Sequence, residues 1–217
     1  MNILLAMYGA VSQGVLWGIM CLGLYITYKV LDFADLTVDG SFALGGAVNA
    51  ALIVLDCNPL VALFISFIAG GISGIVTGLL NTKLKIPGIL AGILTMIALY
   101  SINIRIMGRA NISLLGETTL MTQISSLINT STTTTSFIIG TIFSVIIIFA
   151  MYWFFGTEIG SAIRATGNNE KMVRAQGVNT DNMKILGLML GNALVALSGG
   201  LVAQSQGYGD VQMGTGT

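Results

Sequence analysis

Apolar residues in this 217-residue chain come in long runs separated by short polar intervals, and that alternation sets the elements. Residues 3–28 form the first run, interrupted only by Ser12 and Gln13, and further runs occupy 60–80, 88–101, 137–155 and 185–203. Residues 41–55 are apolar and rich in Gly and Ala but only 15 residues long. A helix needs about 20 apolar residues to cross a hydrocarbon core ~30 Å thick. Most of the runs approach or exceed that length; 41–55 does not, and 88–101 does so only by extending a few residues each way. The pattern predicts an all-α, polytopic integral membrane protein, a bundle of about six hydrophobic segments with a broken or re-entrant segment near residues 29–55. One transmembrane domain then covers residues 1–217. Gly14 and Gly18, Gly70, Gly74 and Gly78, and Gly187 and Gly191 recur four apart, as small-residue faces for close helix packing.

The polar intervals carry local signals of their own. Residues 158–180 read EIGSAIRATGNNEKMVRAQGVNT, the longest charge-bearing interval in the chain. Between two apolar runs it must face water, within a loop over 156–184. It nevertheless has the punctuation of a short helix. Asn168 suits the N-cap, where its side-chain oxygen takes an orphaned backbone N–H. Glu170 and Arg174 form an i, i+4 pair in the orientation the helix dipole favours. Gly177 suits a left-handed residue after the helix end, with Val178 folding back on Val173 as in a Schellman ending. A second polar interval, 102–136, is rich in Ser and Thr, ends in STTTTS, and reads as a solvated loop with an amphipathic helix inside 114–128.

Orientation follows from the excess of Lys and Arg in cytoplasmic loops. Arg164, Lys171, Arg174 and Lys184 put the 156–184 loop in the cytoplasm, and Lys83 and Lys85, two spans earlier, fall on the same side. The interval 102–136 is then external, with Arg105 and Arg109 counting against the assignment.

Composition narrows the function. Only 8% of residues are charged, 54% are hydrophobic and mean hydropathy is +0.88, so no soluble surface is available on all sides. Nine basic residues balance nine acidic ones, which leaves no basic stripe for a nucleic acid. The chain has no His, which removes the commonest metal ligand and general base and any Ser/His/Asp or Cys/His set. Its two cysteines have no metal-ligand spacing. The G-x-x-x-x-G-K-[ST] phosphate loop is absent, so ATP is not bound by that route.

The polar residues of greatest interest lie in the break near the first run. Asp35, Thr37, Asp39 and Ser41 alternate through KVLDFADLTVDGS. A carboxylate at membrane depth must face a cavity or a partner group, and a broken segment there must be buried in protein or line water. One reading makes the four residues part of a substrate route or gate; the other makes the aspartates caps that hold the break in shape.

Two stretches resemble a known family. G-x-A-x-R-A-x-G-x-N followed by M-x-R-x-x-G-V-N is similar to the cytoplasmic coupling loop of ATP-binding-cassette importer permeases. The similar branch serves branched-chain amino acids, simple sugars and nucleosides. The matching positions are Gly160, Ala162, Arg164, Ala165, Gly167, Asn168, Met172, Arg174, Gly177 and Val178. The run TYKVLDFADLTVDGSFALGG resembles a signature of the same family, in the subgroup assigned tryptophan, tyrosine or unknown substrates.

The resemblance implies a permease subunit of the bacterial cytoplasmic membrane that moves a small polar solute by alternating access. The solute is expected to be an amino acid, aromatic among the candidates. It implies two copies of an ATPase subunit docking on the coupling loop, a second permease as homodimer partner, and an extracytoplasmic substrate-binding protein. No cofactor is expected on this chain; ATP and Mg belong to the ATPase. Family members run on through further helices after the segment resembling GYGDVQMGTG, whereas this chain stops at Thr217, as a fragment or as a truncated product. Two alternatives remain at this stage: an ion-coupled secondary transporter with the aspartates as coupling sites, or a truncated remnant that binds partners without transporting.

Overall fold

Among the described residues, six helices long and apolar enough to cross a membrane make up most of the chain. The computed structural model describes residues 3–128 and 131–214. Helix α1 (Ile3–Leu24) continues through a π-helical stretch, Tyr25–Val30, before the chain opens out. The other crossings are α2 (Thr37–Val54), α3 (Pro59–Thr82), α4 (Gly88–Met107), α6 (Thr132–Phe155) and α9 (Thr180–Gln206). The shorter elements are α5 (Leu120–Ile128), α7 (Glu158–Asn168), α8 (Glu170–Ala175), β1 (Asn111–Ser113) and β2 (Tyr208–Asp210).

Several boundaries depart from the sequence expectation, each for a local reason. The break is confined to residues 31–36, and α2 begins at Thr37 rather than Ser41. Its 18 residues rise about 27 Å, a complete crossing rather than a re-entrant hairpin. Helix α4 absorbs residues 102–107 of the expected external loop and stops at Gly108, whose φ of 67° is left-handed. The STTTTS run is the beginning of α6, not loop. Ser131 caps it, and Thr135 and Ser136 return their hydroxyls to the carbonyls of Ser131 and Thr132, which removes the penalty of taking them into a helix. Within 114–128 only Leu120–Ile128 is helical, and a short strand precedes it. Helix α3 has the start its sequence suggests, with Pro59 in its first turn and Asn58 Oδ1 accepting from Leu60 N at 3.0 Å.

Helices α2 and α9 are the most enclosed crossings. They touch backbone to backbone: a Cβ on Gly45 would overlap the Ala196 carbonyl, and one on Gly199 would overlap that of Phe42. Gly70 and Gly74 of α3 lie equally close to α9, at Asn192 and Leu188. Around this contact Leu16, Ile19, Phe42, Leu63, Val195 and Leu201 form the main apolar core, with Trp17 stacked on Phe42 at a centroid distance of 4.9 Å. Gly14 and Gly18 differ from the glycines of α3 and α9, because a Cβ on either would meet nothing among the described residues. That expected packing face is not used inside the bundle.

The crossings sort the connections into two ends. At one end Gly167 of α7 lies on Val30 and Leu31, and Gly88 at the start of α4 lies on Phe33. At the other, β1 pairs antiparallel with β2, Asn111 opposite Asp210 and Ser113 opposite Tyr208. There α5 is fastened to α9 by Leu120 N donating to Gln204 Oε1 at 2.9 Å. The first end holds Lys29, Lys83, Lys85, Arg164, Lys171, Arg174 and Lys184, seven of the chain's nine cations.

Candidate functional site

Where the chain leaves the π-helical stretch it turns at Asp32, whose φ is 52°, and side chains alternate between inside and outside up to the start of α2. Leu31, Phe33 and Asp35 are buried; Asp32, Ala34 and Leu36 are exposed. The break is held by Leu31 N and Phe33 N donating back to Ile26 O and Thr27 O, each at 3.0 Å. This carries Asp35 into the bundle at the start of α2, where it is 8% exposed. Both of its oxygens are occupied. Oδ1 accepts from Thr37 N at 2.9 Å, and Oδ2 accepts from Asn192 Nδ2 at 2.6 Å.

From Asn192 the network spreads across four helices. Ser41 Oγ donates to Asn192 Oδ1 at 2.7 Å and lies 2.7 Å from Ser73 Oγ. Thr37 Oγ1 lies 2.8 Å from Thr77 Oγ1, which donates to Thr95 Oγ1 at 3.0 Å. All seven residues are buried. A buried polar network of this kind fixes one helix arrangement while every member is satisfied, and it resists any half-way state.

The four residues singled out in the sequence therefore separate. Asp35, Thr37 and Ser41 meet in the network, whereas Asp39 is half-buried and lines a separate cavity of about 30 Å³ with Met96, Tyr100 and Asn103. The reason is the period. Alternate positions share a face in an extended chain, but residues 37 to 41 lie in a helix, where i and i+4 share a face and i+2 points away. Asn192, Ser73, Thr77 and Thr95 were missed. Asn192 was legible as a lone amide in the apolar run 185–203; the three hydroxyls have no sequence signal beyond their presence in apolar runs.

The second part of the site is the loop 156–184, which is two helices and three caps. Thr157 Oγ1 accepts from Gly160 N at 3.3 Å to start α7. Asn169, not Asn168, caps α8: its backbone is extended and its Oδ1 accepts from Met172 N at 3.1 Å. Asn168 is instead the last residue of α7, which continues to its end because Asn169 N still bonds Ala165 O at 2.9 Å. Helix α8 ends in a full Schellman motif. Val178 N bonds Val173 O at 3.3 Å, Gly177 N bonds Arg174 O at 3.1 Å, and Gly177 has φ of 87°. Asn179 then caps α9, accepting from Asp181 N and Asn182 N.

The ten coupling-loop positions divide between scaffold and surface. Gly160 and Gly167 are points of close approach, to the Phe154–Phe155 backbone and to Val30–Leu31. Ala162, Ala165 and Val178 are half-buried, while Arg164, Asn168, Met172, Arg174 and Gly177 are exposed. Buried Ile163 packs with Leu31, Phe33 and Leu188, so α7 rests on the break and on α9 together. Helix α8 is tied to α9 by charge. Arg174 Nη2 contacts Glu170 Oε1 at 3.2 Å and Asp181 Oδ1 at 2.9 Å, and Lys184 Nζ contacts Glu170 Oε2 at 2.7 Å. The hydrogen bond from Lys184 holds the Glu170 carboxyl below the usual range, against a smaller opposing effect of burial.

A model of the family described as branched-chain amino acid transport system, permease component, matches residues 6–217. The chain belongs to this permease family. It is 40% identical over 207 residues to a tyrosine transport system permease protein of Clostridioides difficile (strain R20291), covering 95% of this chain and 67% of that one. It is 36% identical over 216 residues to an uncharacterized protein of Rickettsia prowazekii (strain Madrid E), covering 100% of this chain and 73% of the relative. A ribose import permease protein of Escherichia coli (strain K12) is 25% identical over 207 residues, covering 89% of this chain and 59% of its own length. No solved structure matches the chain. The permease is a multi-pass membrane protein of a transport system, and the buried network and the capped loop are the two features its fold holds in contact through α9.

Proposed function

We propose that this permease is the membrane-spanning subunit of an ATP-binding-cassette importer in a bacterial cytoplasmic membrane, moving a small polar solute inward. The observation that carries the reading is mechanical. A rigid, capped helix pair at the cation-rich end is ion-paired to α9, and α9 carries Asn192 into the Asp35 network. Lys184 and Asn192 are eight residues apart on one helix, about 12 Å along its axis. A push on α8 therefore reaches the polar network without a flexible joint between them.

In this reading the basic end faces the cytoplasm, as the bias of cations requires. Met172 and Lys171 are exposed on α8 and meet an ATPase subunit, one for each of two permease copies. ATP and Mg act on that subunit, and this chain performs no chemistry of its own. Closure of the ATPases tilts α8 and α9 together, and the Asp35–Asn192–Ser41 network exchanges one satisfied arrangement for another as the route changes its open side. An extracytoplasmic binding protein delivers the solute to the end formed by α5, β1 and β2. The tyrosine permease relative supports an amino acid, with tyrosine the first to try.

The test is uptake in proteoliposomes containing the permease, its ATPase and its binding protein. Tyrosine accumulation should require internal ATP and should not be driven by a proton or sodium gradient alone. Gradient-driven uptake without ATP would replace this reading with ion-coupled transport.

A further inference from the structure

Three hollows with shared walls follow α6 toward the basic end, from its groove with α9 to its meeting with the π-helical stretch and α7, and none of them is lined by the Asp35 network. The first, about 320 Å³, is apolar, with Ile26, Ile146, Met151, Trp153, Leu190 and Leu194 in its wall. The next, about 640 Å³, shares Met151, Trp153 and Phe155 with it and adds Tyr25, Phe149 and Tyr152. The outermost, about 530 Å³, shares Tyr25, Val30 and Arg164 with the second and is lined also by Tyr28, Lys29 and Asp32. The order is hydrocarbon, then aromatic, then charged.

That is the profile of a phospholipid standing in one leaflet. Tyr25, Tyr28, Tyr152 and Trp153 are all more than half exposed at the same end of two adjacent helices, the level at which aromatic side chains meet headgroups. The charged compartment holds two cations against one carboxylate, so it favours an anion. Neither Lys29 nor Arg164 forms an ion pair with a carboxylate among the described residues. Arg164 is positioned by one bond only, Nη2 to Phe155 O at 2.7 Å. A guanidinium has five donors, and the rest of its fork is left for a planar or tetrahedral oxyanion. Basic pockets between helices at the cytoplasmic face are where anionic headgroups bind.

We propose that this groove binds one anionic phospholipid, with its phosphate on Arg164 and Lys29 and an acyl chain along α6. The lipid bridges the end of the π-helical stretch to α7, which packs on the 31–36 break. The site does not depend on docking of an ATPase.

The experiment counts lipids retained by the detergent-purified chain, using native mass spectrometry after addition of dioleoyl phosphatidylglycerol or dioleoyl phosphatidylcholine. The variants are Lys29→Gln, Arg164→Lys and Arg164→Ala, with exposed Lys83→Gln as a control at the same end. Phosphatidylglycerol should be retained over phosphatidylcholine. Lys29→Gln should weaken that retention about five-fold, the fold-change that corresponds to about 1 kcal/mol per surface cation. Arg164→Ala should weaken it at least as much, Arg164→Lys less, and Lys83→Gln not at all. Equal retention of the two lipids overturns the proposal, as does unchanged phosphatidylglycerol retention in Lys29→Gln and Arg164→Ala. Complete displacement by glycerol phosphate alone would mean an anion site without the acyl groove and would also overturn it. Loss of ATPase association in Arg164→Ala with lipid retention unchanged would assign Arg164 to the ATPase instead. Should Arg164→Ala fail to fold, Lys29→Gln and Arg164→Lys still decide the matter.

Discussion

Asn192 Nδ2 donates to Asp35 Oδ2 at 2.6 Å, joining the middle of α9 to the break between α1 and α2. The amide is spent on both sides, since its Oδ1 accepts from Ser41 and its Nδ2 also reaches Leu188 O at 3.0 Å. Replacing Asn192 by Leu keeps the branched shape with some added bulk, strands Asp35 Oδ2 in an apolar interior and leaves Ser41 Oγ with Ser73 Oγ alone. The expected loss is about 1–3 kcal/mol, the penalty of leaving a buried polar group unmade. Thermal unfolding of the purified chain in detergent measures it, and an unchanged midpoint for Asn192→Leu would remove the network from any role in holding the break.

The two aspartates should respond differently to the same change. Asp35→Asn alters a carboxylate that has two partners, whereas Asp39→Asn alters one that is half-buried beside a small cavity. Asp35→Asn is expected to lower both the unfolding midpoint and uptake. Asp39→Asn is expected to stay within about 0.5 kcal/mol of the parent in stability, with any effect confined to uptake. Equal destabilisation by both would mean that Asp39 has a structural partner of the same importance.

How much of this was legible in the sequence follows from what each signal measures. Hydropathy reports burial in lipid or protein, so it found the crossings but trimmed α6 at STTTTS, where hydroxyls hide by bonding their own helix. It trimmed α2 at Thr37 and Asp39 because both are polar, although Thr37 Oγ1 is satisfied by Thr77 of α3 inside the bundle. Capping chemistry identified a short helix and its Gly177 ending correctly, yet two adjacent asparagines satisfy the same rule, and only the continuing bond from Asn169 N to Ala165 O selects Asn169. Asn192, which bonds Asp35, and the Ser73, Thr77 and Thr95 hydroxyls further along the network come from three helices distant in sequence, and no local pattern carries that information. Six cations fall at one end from the sequence alone, and Lys29 joins them once the chain after the break at 31–36 is seen to make a full crossing.

Orientation is open to a direct check. With Cys21 and Cys57 replaced by Ala, single cysteines at Ser161 and Leu115, both exposed, should label from opposite sides of the membrane. Ser161 should react only from the cytoplasmic side. Labelling of both from outside would reverse the basic end and remove the docking surface with it.

The ion pairs between α8 and α9 predict a pH dependence with a definite sign. Glu170 has its folded-state pKa lowered, first by the Lys184 hydrogen bond. A depressed carboxyl contributes stability that is present above its unfolded value, near 4.3, and disappears as pH falls through the folded value. The carboxylate is partly open to water, so the contribution belongs with surface pairs, roughly 0–1 kcal/mol. Wild type and Glu170→Gln should therefore differ in midpoint at pH 7 and converge as the pH falls through the lowered folded-state value. A difference that grows on acidification would contradict the pairing.

The strongest demand on the docking reading falls on Gly177. Its φ of 87° closes both Schellman bonds of α8, and a Cβ there would meet no neighbouring atom. Any harm from Gly177→Val must therefore come through the backbone, where a β-branched residue at positive φ costs on the order of 1–3 kcal/mol. The strain is relieved by reopening the turn, which shifts α8 against the start of α9 and loosens Arg174 from Thr180 and Asp181. Lys171 is exposed and takes no part in those bonds, so Lys171→Ala should cost less than about 0.5 kcal/mol. If the ATPase recognises the shape of α8, Gly177→Val loses co-purification of the ATPase and coupled hydrolysis, while Lys171→Ala keeps both. The opposite result, with Gly177→Val coupling normally and Lys171→Ala failing, would make recognition electrostatic. The lever from α8 through Lys184 to Asn192 would then lose its starting point, because a contact made by one exposed lysine does not transmit the position of the helix that bears it.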